Sequence, residues 1–244
     1  MIASDDSQPA RPRAASRPPA PSRGDGSAAR RADPMPWLKP GIFIGALAPL
    51  VSIALRAGQG DLSANPIAQI VNELGLSALI FLIASLACTP ARRLLGWTWP
   101  ARVRRELGLI AFFYAVLHFL AYLVLDQRFD WRVIFGDVVQ RPFITVGFLA
   151  LVLLAPLAVT STSGSMRRLG FRRWQRIHQL AYVAGVLAVV HFLWRVKIDL
   201  TQPLLYAGVL GALLAVRAAF WLRQRSATRA SPAPSGSTPP KVAE

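Results

Sequence analysis

Six apolar runs, each close to the roughly 20 residues a helix needs to cross hydrocarbon, constrain this sequence more than any other feature. They span approximately Leu38 to Leu55, Leu74 to Thr89, Leu107 to Leu125, Phe143 to Thr160, His178 to Trp194 and Pro203 to Leu222. Inside lipid a backbone must satisfy its own N–H and C=O groups, so such runs predict an all-α polytopic membrane protein, a six-transmembrane-helix bundle. Only 16% of the residues are charged, well below the roughly 25% of soluble domains. The formal charge of +16 would suit a nucleic-acid binder, but the hydropathy would not. Membrane lipid is the expected surrounding, and nucleic acid is excluded as a partner.

The connections sort by charge. Arg92, Arg93, Arg102, Arg104 and Arg105 follow the second run, and Arg167, Arg168, Arg172, Arg173 and Arg176 follow the fourth. The other loops are nearly neutral, with Arg128, Arg132 and Arg141 offset by Asp126, Asp130 and Asp137. Basic loops stay inside, which makes both termini cytoplasmic. The seven tryptophans fall at or just beyond the run ends, as an aromatic belt does. Arg217, within the sixth run, is expected to snorkel to the headgroups. Residues 1–36, rich in Pro, Ala, Ser and Arg, read as a disordered basic cytoplasmic arm, residues 37–223 as the transmembrane domain, and residues 224–244 as a disordered cytoplasmic tail.

Chemistry at membrane depth narrows to three histidines, His118, His178 and His191. His178 and His191 are thirteen residues apart on one helix, a rise of roughly 19.5 Å, so one belongs near each face. His118 and His191 differ in depth by about 4.5 Å when counted from the same side, near enough to ligate one iron. The level of His178 on the third run offers Arg104 and Arg105 instead of histidine. Ala181, Ala184, Gly185 and Ala188 form a stripe of small residues beside the histidines. It leaves room either for a flat bulky group or for close helix contact.

Two imidazoles from facing helices are the usual way to hold a b-type haem. Met1, Met35 and Met166 lie outside the runs, and the one cysteine, Cys88, permits neither a disulfide nor a CxxCH haem attachment. Zinc would want a third or fourth ligand near His118 and His191. The basic clusters serve topology and headgroup binding. Arg104, Arg105 and Arg176, with His178, could also hold a flavin phosphate or polarise a quinone carbonyl. No catalytic residue is expected on this chain.

Specific strings then carry a resemblance. RRELGLIAFFYAVLHFLAYL around His118, RPFITVGF from Arg141, TSTSGSMRRLGFRRWQRIHQLAYVAGVLAVVHFLWRVK through His178 and His191, and QPLLYAGVLGALLAVR at the last run occur in order between Trp37 and Arg223. They closely resemble the MsrQ (YedZ) family, haem-binding membrane subunits of periplasmic methionine sulfoxide reductase systems within the ferric reductase-like transmembrane family. The resemblance implies a multi-pass protein of the bacterial inner membrane that holds haem b and FMN, with His118, His178 and His191 matching the family's histidines. It also implies electron flow from the quinone pool to a periplasmic molybdenum-containing catalytic subunit, MsrP. Larger relatives carry two bis-histidine haems, and Arg104 departs from their inner ligand. A ferric reductase-like haem protein serving another acceptor is the alternative. After Leu222 the sequence leaves no room for a fused nucleotide and flavin domain.

Overall fold

In a computed structural model of the protein, the described residues are 35–162 and 164–230. They form α1 (Leu38–Gln59), α2 (Pro66–Leu95), α3 (Pro100–Ala121), α4 (Trp131–Gln140), α5 (Pro142–Val159), α6 (Ser165–Leu169), α7 (Phe171–Arg195) and α8 (Thr201–Ala230), with no strand among them. A π-helical turn, Tyr122–Asp126, extends α3. Six helices are long and apolar enough to cross a membrane, one for each apolar run. All but the last two residues of the expected N-terminal arm, and residues 231–244 of the expected tail, lie outside the described residues.

Local chemistry sets the helix ends. Proline opens α2, α3 and α5 at Pro66, Pro100 and Pro142, where its missing N–H costs nothing. Asn65 caps α2, its side chain accepting from the Ala68 N–H at 3.1 Å. Gly60 and Gly96 close α1 and α2 at φ 70° and 68°, a left-handed conformation that glycine adopts without steric cost.

Three elements depart from the expected extents. α7 begins at Phe171, so His178 sits two turns inside the helix instead of opening it. α8 runs on to Ala230, seven residues past Arg223. The added turns, FRRWQRI on α7 and QRSATRA on α8, are rich in Arg and Gln, which suit a helix but lower its hydropathy. α4 fills what reads as a loop, capped by Asp130, whose carboxylate accepts from the Arg132 N–H at 3.0 Å.

α2 lies along α3 and α5 along α7, α7 also meets α2 and α8, and α1 rests on α2 and α3. Leu82 and Leu86 of α2, Ala111 of α3, Leu154 of α5, Ala184 of α7 and Leu210 of α8 share one core cluster. The lipid-facing side is apolar as well: Ile44, Leu47, Val51 and Leu55 form an exposed stripe down α1, as hydrocarbon solvent requires. At Ala181, Ala184 and Gly185 the stripe of small residues on α7 serves helix contact, while its last member, Ala188, lines the cavity beside the histidines. Ala181 and Ala184 are buried in the core cluster, and a Cβ on Gly185 would lie 3.2 Å from Leu86 Cδ1.

Arg217 does not snorkel outward. Its Nη1 donates to the Leu86 carbonyl at 3.3 Å, and its guanidinium lies 4.5 Å from the centre of the Tyr182 ring. The cause is in α2. Pro90 stands inside that helix and has no N–H to offer the carbonyl four residues back, which is that of Leu86. Arg217 supplies the missing donor from α8.

Candidate haem site between the third and seventh helices

α3 and α7 do not pack on each other directly; both contact α2 and α5, and their histidines face each other across a cavity. Arg104 lies within electrostatic range of His178 at one end, and the His118 and His191 rings meet at the other. Those two rings have centroids 6.1 Å apart and planes at 79°. Two imidazoles sharing one metal through Nε2, at about 2 Å per bond, would have centroids roughly 6 Å apart.

Each ring is fixed from behind. His118 Nδ1 lies 2.8 Å from the Val71 carbonyl on α2, and His191 Nδ1 lies 2.7 Å from the Phe143 carbonyl on α5. A carbonyl only accepts, so Nδ1 carries the proton in both rings and Nε2 is left bare. This second bond, which orients a ligand histidine and fixes its tautomer, is common at metal sites. No described residue hydrogen-bonds either Nε2.

The ring positions depend on two glycines outside α3 and α7. A Cβ on Gly75 of α2 would lie 2.9 Å from His118 Cε1, and one on Gly147 of α5 would lie 2.6 Å from His191 Nδ1. Each glycine follows by four residues the carbonyl that its histidine bonds, Val71 and Phe143. Backbone acceptor and steric gap are therefore adjacent on one helix face. Nothing in the spacing of the histidines signals these glycines, because glycine is frequent in membrane helices for many reasons.

Both histidines line a cavity of about 370 Å³ whose walls include Leu79, Leu82, Phe119, Phe148, Leu151 and Ala188. Tyr122, Asp126, Arg141 and Arg195 also reach it. Among the described residues no three His, Cys, Asp or Glu side chains gather as ligands for a bare metal ion. The donor set fits a group that brings its own equatorial ligands and needs two axial nitrogens, which is the coordination of a b-type haem.

His178 lies apart from this cavity. Its ring stacks on Trp174 at 3.9 Å between centroids, with Nδ1 3.1 Å from the Trp174 carbonyl. Trp174 is accordingly more than a belt residue, since its indole N–H also ties α7 to the Thr160 carbonyl at 3.1 Å. Of the three arginines considered with His178, Arg104 is half-buried, while Arg105 and Arg176 are exposed. The backbone of Arg104 is fixed through its carbonyl, which accepts from Ser85 Oγ at 3.0 Å.

Comparison with known proteins agrees with this geometry. The model of the ferric reductase like transmembrane component matches residues 71–189, from the second turn of α2 to within two residues of His191. The protein-methionine-sulfoxide reductase heme-binding subunit MsrQ of Rhodospirillum rubrum is 55% identical over 189 residues, covering 78% of this chain and 91% of the relative. That of Deinococcus radiodurans is 54% identical over 185 residues, covering 76% and 91%. That of Xanthomonas oryzae pv. oryzae is 48% identical over 204 residues, covering 81% and 93%. With six apolar helices and relatives of this kind, the protein is a multi-pass protein of the bacterial inner membrane, and it belongs to the MsrQ family of ferric reductase-like transmembrane subunits.

Proposed function

We propose that this protein is the membrane electron-transfer subunit of a protein-methionine-sulfoxide reductase, carrying a b-type haem between His118 and His191. The observation that carries the proposal is the pair of facing rings, 6.1 Å apart, each with Nδ1 committed to a carbonyl of a neighbouring helix. When bound, such a haem supplies one-electron redox chemistry with unchanged coordination. The chain's own part is to hold two neutral imidazoles in one tautomer, to keep the cavity walls apolar, and to span the bilayer.

The arginine-rich loops before α3 and at the start of α7 support a cytoplasmic assignment for that end, with the His118 and His191 end toward the periplasm. Electrons then enter from the quinone pool at the cytoplasmic end. Arg104 beside His178 is suited to polarise a quinone carbonyl, and the exposed Arg105 and Arg176 to contact the phosphate of FMN. They leave toward a periplasmic catalytic subunit, MsrP, which performs the sulfoxide chemistry. In this reading the sulfoxide chemistry belongs to that subunit, and this chain carries the electrons to it.

The test uses membranes containing the full-length protein, reduced in the absence of oxygen. Adding purified MsrP together with a methionine sulfoxide substrate should reoxidise a low-spin haem signal, and the substrate alone should not. Reoxidation by the sulfoxide alone, or none with both components, would reject the assignment.

A further inference from the structure

The charged groups at the cavity's outer end are not all paired within the protein. Asp137, a buried carboxylate, already has two partners: Arg141 Nε lies 3.2 Å from its Oδ1, and the Tyr122 hydroxyl donates to its Oδ2 at 3.2 Å. Asp126 accepts from Gln127 Nε2 at 2.8 Å. Arg195 has no such arrangement. It is half-buried and lines the cavity, and among the described residues neither an ion pair nor a side-chain hydrogen bond holds it.

Its position is specific. Arg195 follows His191 by four residues on α7, one turn further on the same helix face. It lines the same cavity as the His118 and His191 rings. A guanidinium half withdrawn from water at the mouth of an apolar cavity gains from an anion that meets it, and neither Asp126 nor Asp137 forms an ion pair with Arg195. An occupant of the cavity that carries a carboxylate would supply that anion.

We infer that Arg195 is the anchor for a carboxylate of the ligand held by His118 and His191. This rests on the haem reading above, and for a b-type haem the carboxylate is a propionate. The planar fork of Arg195 pairs with both carboxylate oxygens, which a lysine cannot reproduce. His118 and His191 would hold the iron, and Arg195, one helical turn from His191, would hold the carboxylate. Arg141, tied to Asp137, is not part of the anchor.

The experiment compares haem b with its dimethyl ester, in which both carboxylates are blocked. Full-length protein made under haem depletion is loaded in detergent with each compound, and retention is followed as transfer to an apo-globin acceptor. The wild type should hold haem b at least about tenfold longer than the ester. Arg195→Gln should keep the low-spin bis-histidine spectrum but lose most of that preference, Arg195→Lys should fall between, and Arg141→Gln should keep it. Equal retention of the two compounds by the wild type, or an undiminished preference in Arg195→Gln, would overturn the anchor. A low-spin spectrum with neither compound would instead overturn the haem reading, and the anchor with it.

Discussion

Gly147 and His191 touch across the interface of α5 and α7, so closely that a methyl group on Gly147 would lie 2.6 Å from the imidazole Nδ1. The same turn of α5 presents the Phe143 carbonyl that His191 bonds. The ring is thus held between an acceptor and a gap, and Gly75 with Val71 holds His118 in the same way.

Gly147→Ala is therefore expected to displace His191 and break its bond to Phe143. Overpacking of this kind costs roughly 1–3 kcal/mol. Haem content per protein in purified membranes should fall several-fold. Gly75→Ala should have a milder effect, since its closest approach is 2.9 Å. Full haem content in Gly147→Ala would show that the ring needs no such gap.

His118→Ala and His191→Ala should each abolish the low-spin haem spectrum, because each removes one of two axial nitrogens and the apolar walls offer no replacement. His178→Ala should leave the spectrum largely in place and slow reduction by a quinol. The stack of His178 on Trp174 and its distance from the cavity motivate the contrast. A bleached His178→Ala with an intact His118→Ala would reverse the assignment.

How much of this was legible in the sequence depends on what each feature requires of its neighbours. The six spans follow from hydropathy, and the meeting of His118 with His191 from counting rises along two parallel helices. Hydropathy is silent where a helix continues in arginine-rich turns, which hid the start of α7 and the end of α8, and α4 is too short to register as a span. The small stripe at Ala181, Ala184 and Gly185 fitted two purposes, and the leucines of α2 and α8 decide for packing. Gly75 and Gly147 matter only through partners on other helices, and Arg195 through the cavity it lines, neither of which a single sequence aligns.

Orientation can be read by labelling. In a Cys88→Ala background, Val139→Cys and Ile198→Cys occupy strongly exposed positions, 83% and 99%, at the end assigned to the periplasm. Both should react with an impermeant thiol reagent added to intact cells, and Arg172→Cys, exposed at the start of α7, should react only after permeabilisation. Asp137 is unsuitable as a probe because it is buried between Tyr122 and Arg141. The opposite labelling pattern would invert the proposed direction of electron flow.

The contact of Arg217 with Leu86 offers a cleaner test than a single substitution, because its cause is known. Pro90 deprives the Leu86 carbonyl of its helical donor, and Arg217 Nη1 replaces it at 3.3 Å. Arg217→Leu leaves that carbonyl unsatisfied in a setting without water, at a cost of about 1–3 kcal/mol. Pro90→Ala restores the N–H within α2 and makes Arg217 dispensable. Thermal aggregation in detergent should therefore show Arg217→Leu clearly destabilised in the native background and nearly neutral in Pro90→Ala. The two effects should be strongly non-additive, as expected for residues serving one group. If Arg217→Leu were equally harmful in both backgrounds, its main role would be the contact with Tyr182, and the link to Pro90 would be wrong.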